Sequence, residues 1–161
     1  MYKLIFLIEI LAFISISFWA AAMEGQTGGI FGIRKLFGLS ADFYIFFLTI
    51  PLFLLMVLLI KPELKLFGVL LTGYLIGVVL EDFFWFLINP YYGIQRFNSK
   101  NAFWLKNWIN LGFEIPLFYL KYFLAALIIW FVFVYKHKET EKIIKLFLLK
   151  LRDFHQHAKT A

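Results

Sequence analysis

The sequence predicts an all-α polytopic membrane protein with four transmembrane helices and a C-terminal amphipathic surface helix. Hydrophobic residues make up 63% of the 161-residue chain, whereas a soluble domain is typically ~45–50% apolar. The excess lies in four long blocks separated by short polar stretches. Because a crossing needs ~20 apolar residues, a chain of this length has room for four. We therefore expect one bundle over residues 1–135, followed by a basic tail over 136–161.

Composition narrows the classes of function. The chain has no cysteine and three histidines, and His137, His155 and His157 all lie in the tail. Disulfides, cysteine sites and intramembrane histidine centres are therefore excluded, so we expect no metal and no cofactor. The charge of +6 is concentrated after Tyr135 and points to a membrane surface rather than to nucleic acid.

The first two blocks predict helices over residues 2–23 and 41–60. The first resembles a secretory signal peptide, with Lys3 before it and Ala20–Ala22 near its end. Its length and the internal Glu9 favour a retained helix instead. Pro51 lies near the middle of the second block, where its missing N–H predicts a kink.

The third block predicts a helix over residues 66–89. The polar turn Lys61–Lys65 precedes it, and Asn89-Pro90 ends it because proline disfavours helical geometry in the residue before it. Gly73 and Gly77 are four residues apart, a spacing that lets another helix approach closely. We therefore predict that these glycines serve helix packing.

The segment 91–115 is an aromatic and basic loop of the kind found at the headgroup level. Within it, Ala102–Leu111 is predicted as a short interfacial helix. A fourth helix follows over 116–135. In the tail, apolar residues recur on one helical face over 139–156, which predicts a helix lying on a membrane surface.

Basic residues are distributed unevenly between the two ends of the predicted bundle. If both termini lie inside, the inner side carries ten basic residues and the outer loops five. Positively charged loops favour the cytoplasm. We therefore predict a multi-pass membrane protein with both termini cytoplasmic.

The candidate site is the adjacent acidic pair Glu81 and Asp82 within the third helix. A charge at bilayer depth costs roughly 2.5–3.5 kcal/mol or more, so such residues face protein, water or a ligand. Lys121 of the fourth helix lies at a similar depth, which predicts an ion pair with one carboxylate. We expect a ligand to be bound by Glu81, Asp82, Lys121, Tyr74, Trp85, Asn89 and Arg96.

A purely structural role for these polar residues is the alternative. Lys121 can extend its amine to the headgroups, Asp82 can bond Asn89 or the aromatic loop, and Glu81 can bond a tyrosine across the bundle. Glu9 lies in the opposite half of the membrane. Glu114 is expected near Arg96 or Lys106.

Three functions follow from these residues. The first is a membrane protein that binds or transports a small cationic or amphiphilic ligand in a pocket at Glu81, Asp82 and Lys121. The second is an accessory or scaffolding subunit of a larger membrane complex, or a homo-oligomer. The third is an enzyme on a lipid-like substrate, which ranks last because no nucleophile motif or phosphate loop supports it.

Overall fold

The structure is a computed structural model that describes residues 1–24, 35–36, 39–40 and 43–160. It is mostly helical, with 77% of the described residues in helices, and this confirms the predicted all-α class. Most of the glycine-rich stretch before the second apolar block, and the predicted start of the second helix at Ala41, lie outside the described residues.

Within the described residues, three helices are long and apolar enough to cross a membrane. They are α1 (Tyr2–Glu24), α3 (Leu64–Ile88) and α4 (Leu117–Ile129), which continues as a π-helical segment over Trp130–Tyr135. These helices match three of the four predicted blocks and support a membrane location.

The second apolar block is shorter and divided. A π-helical segment spans Phe43–Thr49, and α2 spans Ile50–Ile60. The apolar helical stretch Tyr44–Ile60 is shorter than the three candidate spans. Pro51 lies in the first turn of α2 rather than within a continuous α-helix. This position suits proline because the amide groups of a first turn have no intrahelical partner.

Helix α3 occupies the centre of the bundle. Glycines on two of its faces lie where neighbouring helices come closest. A Cβ at Gly73 would lie 2.2 Å from Glu9 Oε2, and one at Gly77 would lie 2.2 Å from Phe13 Cδ2. These paired contacts place α1 parallel to α3.

Gly68 lies on a different face of α3 because five residues turn a helix by about 140° relative to Gly73. A Cβ there would lie 2.5 Å from Phe133 Cβ. Asp82 of α3 contacts Tyr119 of α4, so α4 runs antiparallel to α3. The chain start, the turn after α2 and the end of α4 therefore share one end of the bundle, which we name the turn end.

The opposite end, which we name the loop end, holds a β-hairpin. Strand Trp108–Asn110 pairs antiparallel with Glu114–Pro116, and a short 3₁₀ helix covers Ile94–Arg96. The predicted helix over Ala102–Leu111 is therefore wrong. Asn110 Oδ1 accepts the amide of Gly112 at 3.0 Å, and Gly112 has φ of +92°. This turn chemistry folds the segment back into strands.

The chain ends in α5 (His137–Thr160), which follows the π-helical segment at the turn end. The described side chains of this helix from Lys142 to Arg152 are all exposed. A two-stranded pairing of Lys35–Leu36 with Leu39–Ser40 precedes the second apolar block.

Candidate functional site

Asp82 faces α4 and accepts a hydrogen bond from the Tyr119 hydroxyl group. Tyr119 is buried, with 8% of its surface exposed. Its ring lies 5.9 Å from that of Phe97. This phenol provides a donor to a carboxylate within the bundle, so α3 and α4 are joined by a polar contact under the loop end.

Glu81 precedes Asp82 and points about 100° away from it around α3. It continues the row of Gly73 and Gly77 at four-residue spacing and is 8% exposed. On α1, Ser17 is fully buried and donates to the Ile14 carbonyl at 2.6 Å. The two adjacent carboxylates therefore point in different directions from α3.

Lys121 does not join this pair. Its side chain is exposed on α4, and none of the ion pairs found among the described residues involves it. The expected direct ion pair with Glu81 or Asp82 is therefore wrong. The physical reason is that equal depth places residues at one level of the bundle but does not turn them toward each other.

The other predicted site residues have separate surroundings. Tyr74 donates its hydroxyl hydrogen to the Phe46 carbonyl in the second apolar block. Asn89 is 1% exposed, and its Oδ1 accepts the amides of Tyr91 and Tyr92 at 2.9 and 3.2 Å. This bonding closes the chain reversal after α3. Arg96 is exposed, 5.3 Å above the ring of Tyr92.

Trp85 is the centre of an aromatic cluster that covers the loop end. Its ring lies 4.8 Å from Phe86 and 5.1 Å from Tyr92. Trp104 stacks on Phe86 with centroids 6.0 Å apart. Such ring contacts add about 0.5–1.5 kcal/mol each beyond burial. The aromatic loop 91–115 therefore packs against the end of α3 and does not extend freely from it.

Glu114 also differs from expectation. Its carboxylate accepts bonds from the backbone amide and the hydroxyl group of Ser99, the latter at 3.2 Å. The expected partners were Arg96 or Lys106. A serine within the same loop competes successfully because its amide is fixed in the backbone and needs no ordering of a long side chain.

Three residues of α1 and α3 have buried polar side-chain atoms that lack a hydrogen-bond partner among the described residues. These atoms are both carboxyl oxygens of Glu9, the hydroxyl oxygen of Thr72 and the indole nitrogen of Trp85. Glu9 is 8% exposed and Thr72 is 3% exposed. The packing places Glu9 against Gly73, eight residues and so about 12 Å along α3 from Glu81, which agrees with the different depths expected for the two acids.

A cavity of about 740 Å³ lies at the turn end, bounded by α1, α3 and α4. Its wall is mainly apolar, and Tyr2, Lys3 and Lys65 also line it. A second, smaller cavity of about 200 Å³ lies between α2 and α3 and is apolar. Neither cavity is lined by Glu81 or Asp82, so the predicted pocket position is not where these spaces occur.

The rim of the larger cavity is organised by Tyr2. The Nζ of Lys65 lies 5.0 Å from the centre of its ring, and its hydroxyl group donates to Glu63. Lys61 pairs with the same carboxylate at 2.8 Å. The hydrogen bond from Lys61 lowers the pKa of Glu63, and that bond raises the pKa of Lys61.

Sequence reasoning missed Tyr119, Gly68 and the lysine-bearing cavity. Gly68 carried a usable signal, since its five-residue offset from Gly73 indicated a second close approach on another face. Tyr119 lies two residues before Lys121 and offered a neutral donor at a comparable depth. No short stretch of the sequence indicates the cavity, because it forms between three helices that are distant in sequence.

Comparison with known proteins adds no relative. No protein-family model, no curated protein and no solved structure matches this chain. The functional argument therefore depends on the geometry described above.

Proposed function

We propose that this chain is a four-span integral membrane protein that binds an amphiphile with an anionic headgroup in the turn-end cavity. The observation that carries the proposal is an apolar cavity of about 740 Å³ with Lys3 and Lys65 on its lining. Ligand pockets are typically ~300–1,000 Å³ and mostly apolar with a few placed polar groups.

The chemistry of the lining favours an acyl chain. Phe6, Val69, Ile76 and Leu127 provide the apolar wall, and each methylene buried contributes about 0.8 kcal/mol. The two lysines provide positive charge where the headgroup would lie. This ligand differs from the cationic one expected from Glu81 and Asp82, because neither carboxylate lines the cavity.

The finer topology is part of this proposal. Tyr44–Ile60 would form the fourth, short crossing, and its exposed apolar residues suit contact with lipid. The shared turn end supports two termini on one side, and the basic excess there favours the cytoplasm. Helix α5 would lie on that surface, since lysines interrupt its apolar residues.

The binding test uses a photoactivatable fatty acid and a long-chain amine of equal length and photochemistry, each with the protein in lipid nanodiscs. We expect saturable labelling of the cavity wall by the fatty acid, removed by excess unlabelled fatty acid. Changing Lys3 and Lys65 to alanine should weaken binding by about fivefold per lysine, since a basic residue near anionic lipid contributes about 1 kcal/mol.

Matched controls separate the cavity from the surrounding lipid. Lys138→Ala removes an exposed cation at the same end that does not line the cavity, and it should leave labelling unchanged. Ala126→Leu places bulk in the cavity, whereas Ala125→Leu adds the same bulk beside it. Equal labelling by the amine, or no difference between these two leucine variants, would contradict the proposal.

A second candidate, an accessory or self-associating subunit, is favoured by apolar residues at the loop end. Phe103, Leu111 and Phe113 are 68%, 61% and 66% exposed. Polar replacement of these three residues should then reduce the mass of the purified assembly in detergent. An unchanged mass would argue against this role.

A further inference from the structure

The Glu9 carboxyl group is enclosed at the interface of α1 and α3. Only 8% of the residue is exposed, and neither oxygen has a hydrogen-bond partner in the described part of the chain. Glycine at position 73 creates the space, because a Cβ there would lie 2.2 Å from Oε2. The Glu9 carboxyl group thus occupies a niche, which is the space that a side chain at position 73 would fill.

A second unpartnered polar group lies next to this niche in sequence. Thr72 precedes Gly73, is 3% exposed, and its hydroxyl oxygen has no partner among the described residues. Thr72 also lines the turn-end cavity. The sequence neighbour of the niche residue Gly73 therefore lines a space that reaches the lysine-bearing end of the bundle.

No described cation is paired with Glu9. The Nζ of Lys65 lies over the ring of Tyr2. Lys65 is eight residues before Gly73, which places it about 12 Å from that glycine along α3. The remaining titratable groups on the elements packed around α1 are listed here: Lys3 and Glu24 of α1, Tyr44 of the π-helical segment, Tyr74, Glu81 and Asp82 of α3, and Tyr119, Lys121 and Tyr122 of α4.

We propose that Glu9 is an intramembrane proton-binding site. Burial of a carboxylate without hydrogen-bond donors costs free energy, and binding a proton lowers that cost because it removes the charge. The proton would reach Glu9 from the turn end by way of the cavity and the Thr72 hydroxyl group. Loss of that proton would require water or a cation at Gly73, so it would separate α1 from α3.

The first test labels the native protein in nanodiscs with dicyclohexylcarbodiimide, an apolar reagent that reacts with protonated carboxyl groups. We expect one adduct at Glu9, located by peptide mass spectrometry, and none in Glu9→Gln. Labelling should fall about tenfold per pH unit once the carboxyl group ionises. Absence of a Glu9 adduct at every pH, with adducts at other carboxyl groups, would overturn the proposal.

The same experiment distinguishes a proton from a metal cation. Sodium chloride and choline chloride at equal ionic strength should leave the Glu9 adduct unchanged. Protection by sodium but not by choline would identify a metal-cation site and overturn the proton assignment.

The second test measures unfolding in detergent against pH. A proton held by the folded state and released on unfolding makes stability fall as pH rises. Wild type should therefore lose stability toward alkaline pH relative to Glu9→Gln. Glu63→Gln, which removes an exposed carboxylate at the turn end, should keep this alkaline loss. Parallel curves for wild type and Glu9→Gln would also overturn the proposal.

Discussion

The two helix interfaces of α3 accommodate an acidic side chain in opposite ways. Toward α4, Asp82 receives a hydrogen bond from Tyr119, and Gly68 allows close contact with Phe133. Toward α1, Gly73 and Gly77 allow equally close contact, yet Glu9 is enclosed there with no hydrogen-bond partner among the described residues. Close packing therefore does not itself satisfy a polar group; a donor has to be turned toward it.

This difference separates structural from functional roles. A hydrogen-bonded carboxylate stabilises one arrangement of α3 and α4, because the bond forms only when Tyr119 faces Asp82. An unsatisfied carboxyl group favours whatever molecule or ion can neutralise it. We accordingly assign the α4 interface to structure and the α1 interface to the proposed proton site.

The largest effect is expected from Gly77→Ala. Its Cβ would meet atoms of the Phe13 ring at 2.2 to 2.6 Å, and the ring stacks on Phe46 and cannot move freely. Overpacking of this kind costs about 1–3 kcal/mol, measured as a lower unfolding midpoint in detergent.

Phe13→Leu is the matched background for that substitution, since it shortens the obstructing ring. The cost of Gly77→Ala should be smaller in this background. If the cost is the same in both backgrounds, Phe13 is not the contact that restricts position 77, and the α1 interface described here is incorrect.

The next effect tests the α4 interface through a double-mutant cycle of Tyr119→Phe and Asp82→Asn. Tyr119→Phe alone should cost about 0.5–1.5 kcal/mol, because it removes one partly buried hydrogen bond. The cost should be much smaller when Asp82→Asn is already present. Additive costs in the unfolding free energies would show that the two side chains are not coupled.

The smallest effect concerns Glu63, whose carboxylate accepts from Tyr2 of α1 at the turn end. Its pKa is lowered from 4.5, first by the hydrogen bond from Lys61. A lowered folded pKa contributes stability above the unfolded pKa that is lost as pH falls through the folded pKa. Wild type should therefore weaken slightly below about pH 4.5 relative to Glu63→Gln.

This acid loss is expected to be minor because Glu63 is exposed to water and surface ion pairs contribute little. It opposes the alkaline loss expected from Glu9, so one pH series reports on both acids of the α1 interface. Curves for wild type and Glu63→Gln that stay parallel from neutral to acidic pH would show that the turn-end bonds do not contribute to folding.

Much of the fold followed from the sequence because lipid imposes length and polarity on each segment. The apolar blocks predicted α1, α3 and α4, and Asn89-Pro90 correctly marked the end of α3. The second block was predicted as one helix kinked at Pro51, and the structure divides it at Thr49. Proline fixes its own φ angle and lacks a backbone N–H, but it does not specify which type of helix precedes it.

The candidate site was less predictable, for a physical reason that Asp82 and Lys121 illustrate. Helical periodicity assigned residues to faces and depths, and matched depth suggested an ion pair. The rotation of α4 decided that Tyr119, not Lys121, meets Asp82. Likewise, Ala102–Leu111 had a helical composition, but pairing of Trp108–Asn110 with Glu114–Pro116 produced a hairpin.

The sequence by itself therefore determined the class of this protein, the extents of its long helices and the glycines at which a helix can approach. These properties depend on local composition and on spacing within one helix. Only the tertiary structure decided which neighbour fills each approach, which carboxyl group gains a donor and where a cavity remains. Those outcomes depend on the rotation and order of helices about α3, which no single segment encodes.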